Sequence, residues 1–469
     1  MVFLRKLSGY FSRHHFIESG GYLEIWKVAY PLILMSASNS VMQFVDRMFL
    51  AENSTEDVAA ALPAGILYFT LFCFFMVTTN FTSALVAQFF GARDNLSCVK
   101  AAWSGFYFAV FASLVIVFVI PFAGDFILSH NGHNPLIQGK EKEYFQSLIP
   151  CGAFICMSSA FFSFFSGRGK TLCIAMINIA GCGLNIILDY IFIFGKCGMP
   201  ALGILGAGQA TSIAAAFILL CAMILFSSVD QVQFPTRKVR ELRMEYLKKL
   251  FSFGTPSGLQ VLFDVGAFTF VTFMIGNLSE VALASTTIAL SINHLSFMPL
   301  LGFSQATSIV CGQYIGRDQK DVALKSAYHS WRLTSVYMSF CSMFYLFLPL
   351  TLIGMFSPGS KHSAIDFTQV LRYGRWILAC AALFNFFDAT KFIFMGALRG
   401  AGDTKSVLII SSLCAWLLMV PGTVLLIYCK SSIITVWIFL TFCTLVEALI
   451  IFWRFRSGAW QKIDLIGKH

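Results

Sequence analysis

Thr82-Ser83-Ala84-Leu85-Val86-Ala87-Gln88-Phe89-Phe90-Gly91 is matched, 225 residues further on, by Thr307-Ser308-Ile309-Val310-Cys311-Gly312-Gln313-Tyr314-Ile315-Gly316. Thr, Ser, Gln and Gly hold the same places in both. The register continues on either side. Pro31 falls on Pro256, Leu34 on Leu259, Ser54 on Ser279, Ala59 on Ala284, Ala64 on Ala289, Lys100 on Lys325 and Ala102 on Ala327. A second block, Gly167-x-Gly169-x-Thr171, recurs as Gly400-x-Gly402-x-Thr404 at a spacing of 233. The chain is therefore a tandem of two related halves.

Both halves are apolar. Of 469 residues 57% are hydrophobic and only 12% charged, against about 25% charged in soluble domains. A mean hydropathy of +0.76 and 51 Phe leave too little polar surface for a water-facing fold. This is a polytopic membrane protein, and duplication in such a chain is the mark of a transporter built from two bundles. The net charge of +10 is read as topological, because Lys and Arg collect in cytoplasmic loops; nucleic acid is not an expected partner. The fourteen Cys sit mostly singly within apolar runs, as small hydrophobes. No CxxC occurs, and no disulfide framework is expected.

Twelve stretches are long enough to cross a bilayer as helices: roughly 26–51, 58–81, 102–123, 144–166, 172–195, 203–227, 250–276, 281–303, 330–356, 370–398, 406–428 and 432–454. Their length and uniformity exclude barrel strands, and helices satisfy their own backbone in lipid. With the N-terminus inside, 24 basic residues fall in cytoplasmic segments and 7 in outer ones, which supports cytoplasmic termini. No signal-peptide core precedes the first span, which itself would direct insertion. The expected layout is a cytoplasmic segment 1–25, a six-helix lobe 26–227, a charged linker 228–249, a second six-helix lobe 250–454 and a tail 455–469. Six spans per half make the repeat parallel, with a substrate cleft expected between the lobes.

Charge within a bilayer costs on the order of 3 kcal/mol per residue, so intramembrane acids are candidates for function. Four stand out: Asp46, Asp189, Asp264 and Asp388. Asn185 and Asp189, at i and i+4, share a helix face and offer an amide oxygen and a carboxylate to Na⁺, or a carboxylate to a proton. Asp388 and Lys391, at i and i+3, are placed to pair. Gly169-Lys170-Thr171 resembles the end of a phosphate-binding loop, but the Gly required upstream is Phe164, and no soluble nucleotide-binding domain is present. An ion gradient is the expected energy source, no nucleophile–base constellation marks an enzyme, and no cofactor is expected.

Three segments carry a family resemblance: Ser40-Val41-Met42-Gln43-Phe44-Val45-Asp46; Asn185-x-x-x-Asp189-Tyr190-Ile191-Phe192-Ile193-Phe194-Gly195 running on into Met199–Thr211; and Gly396-Ala397-Leu398-Arg399-Gly400-Ala401-Gly402-Asp403-Thr404. Together they are similar to the multidrug and toxic compound extrusion (MATE) transporters, in their bacterial NorM-like branch, over nearly the whole chain. The resemblance implies two six-helix lobes and a Na⁺- or H⁺-coupled antiporter exporting small organic cations across the bacterial inner (plasma) membrane as a monomer embedded in lipid. It implies a cation or substrate site at Asp46, Asn185, Asp189 and Thr211 in the N-terminal lobe, and at Asp264 and Asp388 in the C-terminal lobe; Gln260, Asn385 and Lys391, close by in the chain, are candidate modulators. It implies no metal beyond Na⁺ at those sites. Arg47, in place of a small polar residue, and Lys391, one turn from Asp388, depart from the family pattern. Lys391 would weaken metal-cation binding in the C-terminal lobe. Two rivals remain: a lipid-linked oligosaccharide flippase of the wider superfamily, which should need a basic cleft, and a non-transporting receptor or assembly protein, which has no use for four buried carboxylates.

Overall fold

A computed structural model describes residues 18–130, 134–356 and 367–467. Among these residues there is no strand, and the chain runs through twelve long helices. They are α1 Tyr22–Asn53, α2 Thr55–Gly91, α3 Asn95–Ser129, α4 Pro135–Gly167, α5 Thr171–Phe194, α6 Gly203–Ser227, α7 Met244–Gly276, α8 Glu280–Gly316, α9 Lys320–Phe347, α10 Phe367–Ala401, α11 Thr404–Tyr428 and α12 Ile433–Arg456. Eleven are apolar enough to span a membrane on composition alone. The twelfth, α9, begins with Lys320, Asp321, Lys325 and Arg332 and stops before Pro349, so the span expected at 330–356 sits about ten residues earlier in the chain. Pro349 opens a separate turn, Pro349–Gly354, because its ring cannot continue the preceding helix. The tail beyond 467 and the first 17 residues, with Arg5, Lys6, Arg13 and Lys468, lie outside the described residues, as does Lys361.

The helices are longer than a bilayer requires and are interrupted where local chemistry allows. α2 breaks at Phe81; α7 and α11 each contain a π-type turn, at Leu250–Gly254 and Cys414–Met419, where one backbone bond is displaced. Ser54, Asp94 and Ser432 cap α2, α3 and α12 by accepting the backbone N–H three residues on, which satisfies an orphan donor of the first turn.

By internal contacts the chain divides into two compact units. One comprises Leu34–Leu262, Gly312–Asp318 and the chain from Leu465 onward; the other comprises the chain up to Ile33, Phe263–Cys311 and Gln319–Asp464. The division does not fall at the 228–249 linker. It cuts α1 after Ile33 and α7 after Leu262, so each of these helices contributes to both units. The linker itself belongs to the first unit and is tied down there. Trp103 Nε1 donates to Thr236 O at 3.0 Å, Tyr246 Oη meets Ser97 Oγ at 2.9 Å and Lys249 Nζ donates to Ile466 O at 3.1 Å.

The duplication visible in the sequence is a duplication of contacts. In the first unit a methyl on Gly167 would lie 2.7 Å from Ser83 O; in the second, a methyl on Gly400 would lie 2.3 Å from Ser308 O. Each glycine lets a helix end pass over the same backbone carbonyl of its repeat. Arg93 and Asp318, equivalent at the 225 spacing, both adopt the left-handed backbone, at φ 60° and 62°. Gly169 and Gly402 do so at φ 75° and 90°. Within the first unit, Gly91 faces Gln313 O and Gly316 faces Gln88 O reciprocally; a methyl at either would sit 2.0 Å from the carbonyl. All fourteen cysteines are free thiols.

Candidate functional site

The first unit brings Asp46, Asn185, Asp189 and Thr211 together. Asp46 lies on α1; Asn185 and Asp189 lie one turn apart on α5, as their spacing predicts, and both have no exposed surface; Thr211 lies on α6. With its amide turned to satisfy both neighbours, Asn185 donates to Asp189 Oδ2 and to Asp46 Oδ1, each at 3.2 Å, and accepts from the Thr211 backbone N–H at 3.2 Å. The Thr211 hydroxyl is 3.3 Å from the same amide and donates to Ala207 O at 2.9 Å. The Asp46 and Asp189 carboxyls are also within hydrogen-bond reach of one another. Two carboxyls in that relation need a shared proton or a cation, since like charges at such range cannot both stand unscreened. Asp189 Oδ1 is buried without a hydrogen-bond partner, an orphaned acceptor. Arg47, next to Asp46, is exposed.

Sequence reasoning missed four neighbours of this site. Tyr144, on α4, lies within electrostatic range of both Asp46 and Asp189. Cys182 Sγ approaches Asn39 Oδ1 at 3.3 Å and Asn178 Oδ1 at 3.6 Å. Asn178, Cys182, Asn185 and Asp189 form one stripe along α5 at spacings of four, three and four, a signal that was present in the sequence.

The second unit holds a different arrangement. Lys391, on α10, stands between two carboxylates: its Nζ is 3.4 Å from Asp388 Oδ1 and 3.5 Å from Glu447 Oε2 on α12. The i, i+3 pair with Asp388 is present as the spacing predicts. Glu447 is a fifth intramembrane acid, where the sequence reading counted four. Its other oxygen accepts from Ser411 Oγ of α11 at 2.7 Å. Asp264, on α7, is half-buried and lies within electrostatic range of Lys391 and Arg399. Asn385 is 1% exposed, one turn before Asp388. Gln260, one turn before Asp264 on α7, is 1% exposed. Among the described residues no cluster of three or more His, Cys, Asp or Glu marks a metal centre.

The MatE family model matches residues 31–191 and 256–425, one copy in each half. The chain belongs to the MatE family. It is a multi-pass membrane transporter and not an enzyme. Its relatives include a probable multidrug resistance protein NorM of Bradyrhizobium diazoefficiens, 27% identical over 94% of each chain. They also include a multidrug resistance protein MdtK of Edwardsiella ictaluri, 26% identical over 85% of this chain and 86% of that one. Among solved structures, an outward-facing multidrug resistance MATE family transporter superposes with a TM-score of 0.85 at 20% identity, over 94% of this chain and 96% of that one. At that identity the superposition shows the fold, and it is the all-helical MATE fold.

Proposed function

We propose that this MatE-family chain is an antiporter of the bacterial plasma membrane, with both termini cytoplasmic. It exchanges inward Na⁺ or H⁺ for outward organic cations by alternating access. The observation that carries this reading is the pair Asp46 and Asp189 joined by one neutral amide, with Asp189 Oδ1 left without a partner. Such a pair is under-compensated until a cation or proton arrives. Carboxylate, amide and hydroxyl oxygens are hard donors suited to Na⁺, and the same carboxylates take a proton. Coupling ion and substrate ammonium would compete for the same two carboxyls, which lie too close together to bind both independently. Arrival of the ion therefore releases the substrate, which is the exclusivity an antiporter requires. Asp264 and Asp388 form a second acidic site for substrate in the other unit, tempered by Lys391. The oligosaccharide flippase alternative draws no support from either site, since both are acidic and neither offers a basic cradle for pyrophosphate.

Proteoliposomes loaded with a fluorescent organic cation and energised by a Na⁺ gradient or a pH gradient, each imposed alone, test the reading. Efflux above the rate of empty-gradient vesicles under one of the two is expected, and Asp46→Asn should reduce it to that background with expression unchanged. Efflux by Asp46→Asn at the parent rate would overturn the assignment of the N-terminal site.

A further inference from the structure

The turn 167–171 and its repeat 400–404 have the same backbone but opposite charge. In the second unit, Asp403 occupies the position just before α11, and its Oδ2 accepts from Arg454 Nε at 2.7 Å. A resident carboxylate thus sits at the positive end of a helix and is itself neutralised by an arginine. In the first unit the matching position is Lys170, just before α5, and no side chain caps that helix. Neither side chain caps its helix by a hydrogen bond, but the position before α5 carries a cation where the repeat carries a carboxylate.

Two residues back stands Arg168, 9% exposed. Its guanidinium lies 3.8 Å above the Phe234 ring and 4.7 Å from that of Phe164, and its Nε and Nη1 have no hydrogen-bond partner. Burial lowers its basicity. Arginine presents its donors in a fork suited to phosphate, and leaving buried donors unmet is costly. Arg168, Lys170, Cys173, Ser228, Asp230 and Phe234 line a cavity of about 300 Å³, at the lower end of small-molecule sites. The one carboxylate there, Asp230, is exposed and accepts the Val232 backbone N–H at 2.9 Å. The cavity therefore carries two cations against one anion.

We propose that this cavity is a binding site for a phosphate-bearing anion, held by Arg168, Lys170 and the N-terminal amides of α5. It takes the place that Asp403 fills in the repeat. The anion comes either from a lipid headgroup at the membrane surface or from solution. The site is separate from both intramembrane acidic clusters and does not depend on the antiport reading.

The full chain in neutral detergent is titrated with inorganic phosphate, with phosphatidylglycerol and with phosphatidylcholine, and its Tm is followed. A rise of Tm with phosphate assigns the anion to solution; a rise with phosphatidylglycerol beyond that with phosphatidylcholine, and none with phosphate, assigns it to a headgroup. Either supports the site. Lys170→Glu should weaken the response about tenfold in apparent affinity, and Asp230→Asn should strengthen it about threefold. Both residues are exposed, so neither change threatens the fold. Lys405→Gln, on the matching turn of the other unit, should leave the titration unchanged. Arg168→Gln should abolish the response; should that variant fail to fold, the two exposed variants decide the matter alone. No Tm rise with either anion, or Lys170→Glu and Asp230→Asn titrating as the parent does, would overturn the proposal.

Discussion

In the first unit two carboxylates meet over a neutral amide; in the second, two carboxylates meet over an ammonium. Asn185 joins Asp46 to Asp189 and contributes no charge. Lys391 joins Asp388 to Glu447 and contributes one. The scaffold is repeated down to single backbone carbonyls, yet the chemistry is not. The first site has no cation between its two carboxyls, and the nearest resident positive charge is Arg47, beside Asp46 in the chain. The other carries a tethered cation between its two carboxylates and still keeps an excess of negative charge. A duplicated fold has thus been given two acidic sites of unlike construction, one bridged by an amide and one by an ammonium.

The sharpest break between the two would come from neutralising each in turn. Asp189→Asn should abolish gradient-driven efflux in proteoliposomes while keeping the parent Tm, because it removes the charge that summons the ion and leaves shape intact. Lys391→Met should do the opposite, leaving Asp388 and Glu447 as uncompensated buried acids. A loss of about 3–5 kcal/mol is expected for removing one partner of a buried ion pair, read as a large fall in Tm. A Lys391→Met protein as stable as its parent would mean that the second site is not held together by that ammonium.

Glu447→Gln is the milder probe. It removes one of two partners of Lys391 and the charged acceptor of Ser411, for about 1–3 kcal/mol. Combined with Lys391→Met it should recover part of that variant's loss, and failure to recover would separate Glu447 from the cluster. Smallest of all, Thr211→Val removes a hydroxyl at the edge of the first site while keeping volume. A several-fold rise in the ion concentration giving half-maximal efflux is expected, from a net hydrogen-bond contribution of about 0.5–1.5 kcal/mol, with no change in the second site's stability.

How far these sites were legible follows from the range of each interaction. Asn185 with Asp189 and Asp388 with Lys391 are within one helical turn, so spacing alone places them on shared faces. Asp46 joins Asn185 across 139 residues, and only family resemblance connected them beforehand. Glu447 stood in plain view as a single acid within Thr444-Leu445-Val446-Glu447-Ala448-Leu449. It was passed over because its partner on α10 is 56 residues away and no local pattern points to it. Gln260 stands one turn before Asp264 on α7, as spacing alone places it, on a helix that both units share. The helices themselves were legible because a bilayer leaves the backbone no other choice. α9 was misplaced where a charged first third and a terminal proline outweighed hydropathy.

The sharing of α1 between units also sets an order of events at birth. Trp26, near the start of α1, packs against Phe303 with ring centroids 6.0 Å apart, and Gly302 lies against Ile33. A ribosome adding about 5–20 residues per second takes roughly a quarter of a minute to a minute to travel from one ring to the other. For that interval the first segment to enter the membrane has no native partner for its opening turns. The half-made chain must be shielded by lipid or by the insertion machinery until α8 arrives, so premature release of a truncated product would leave that surface bare.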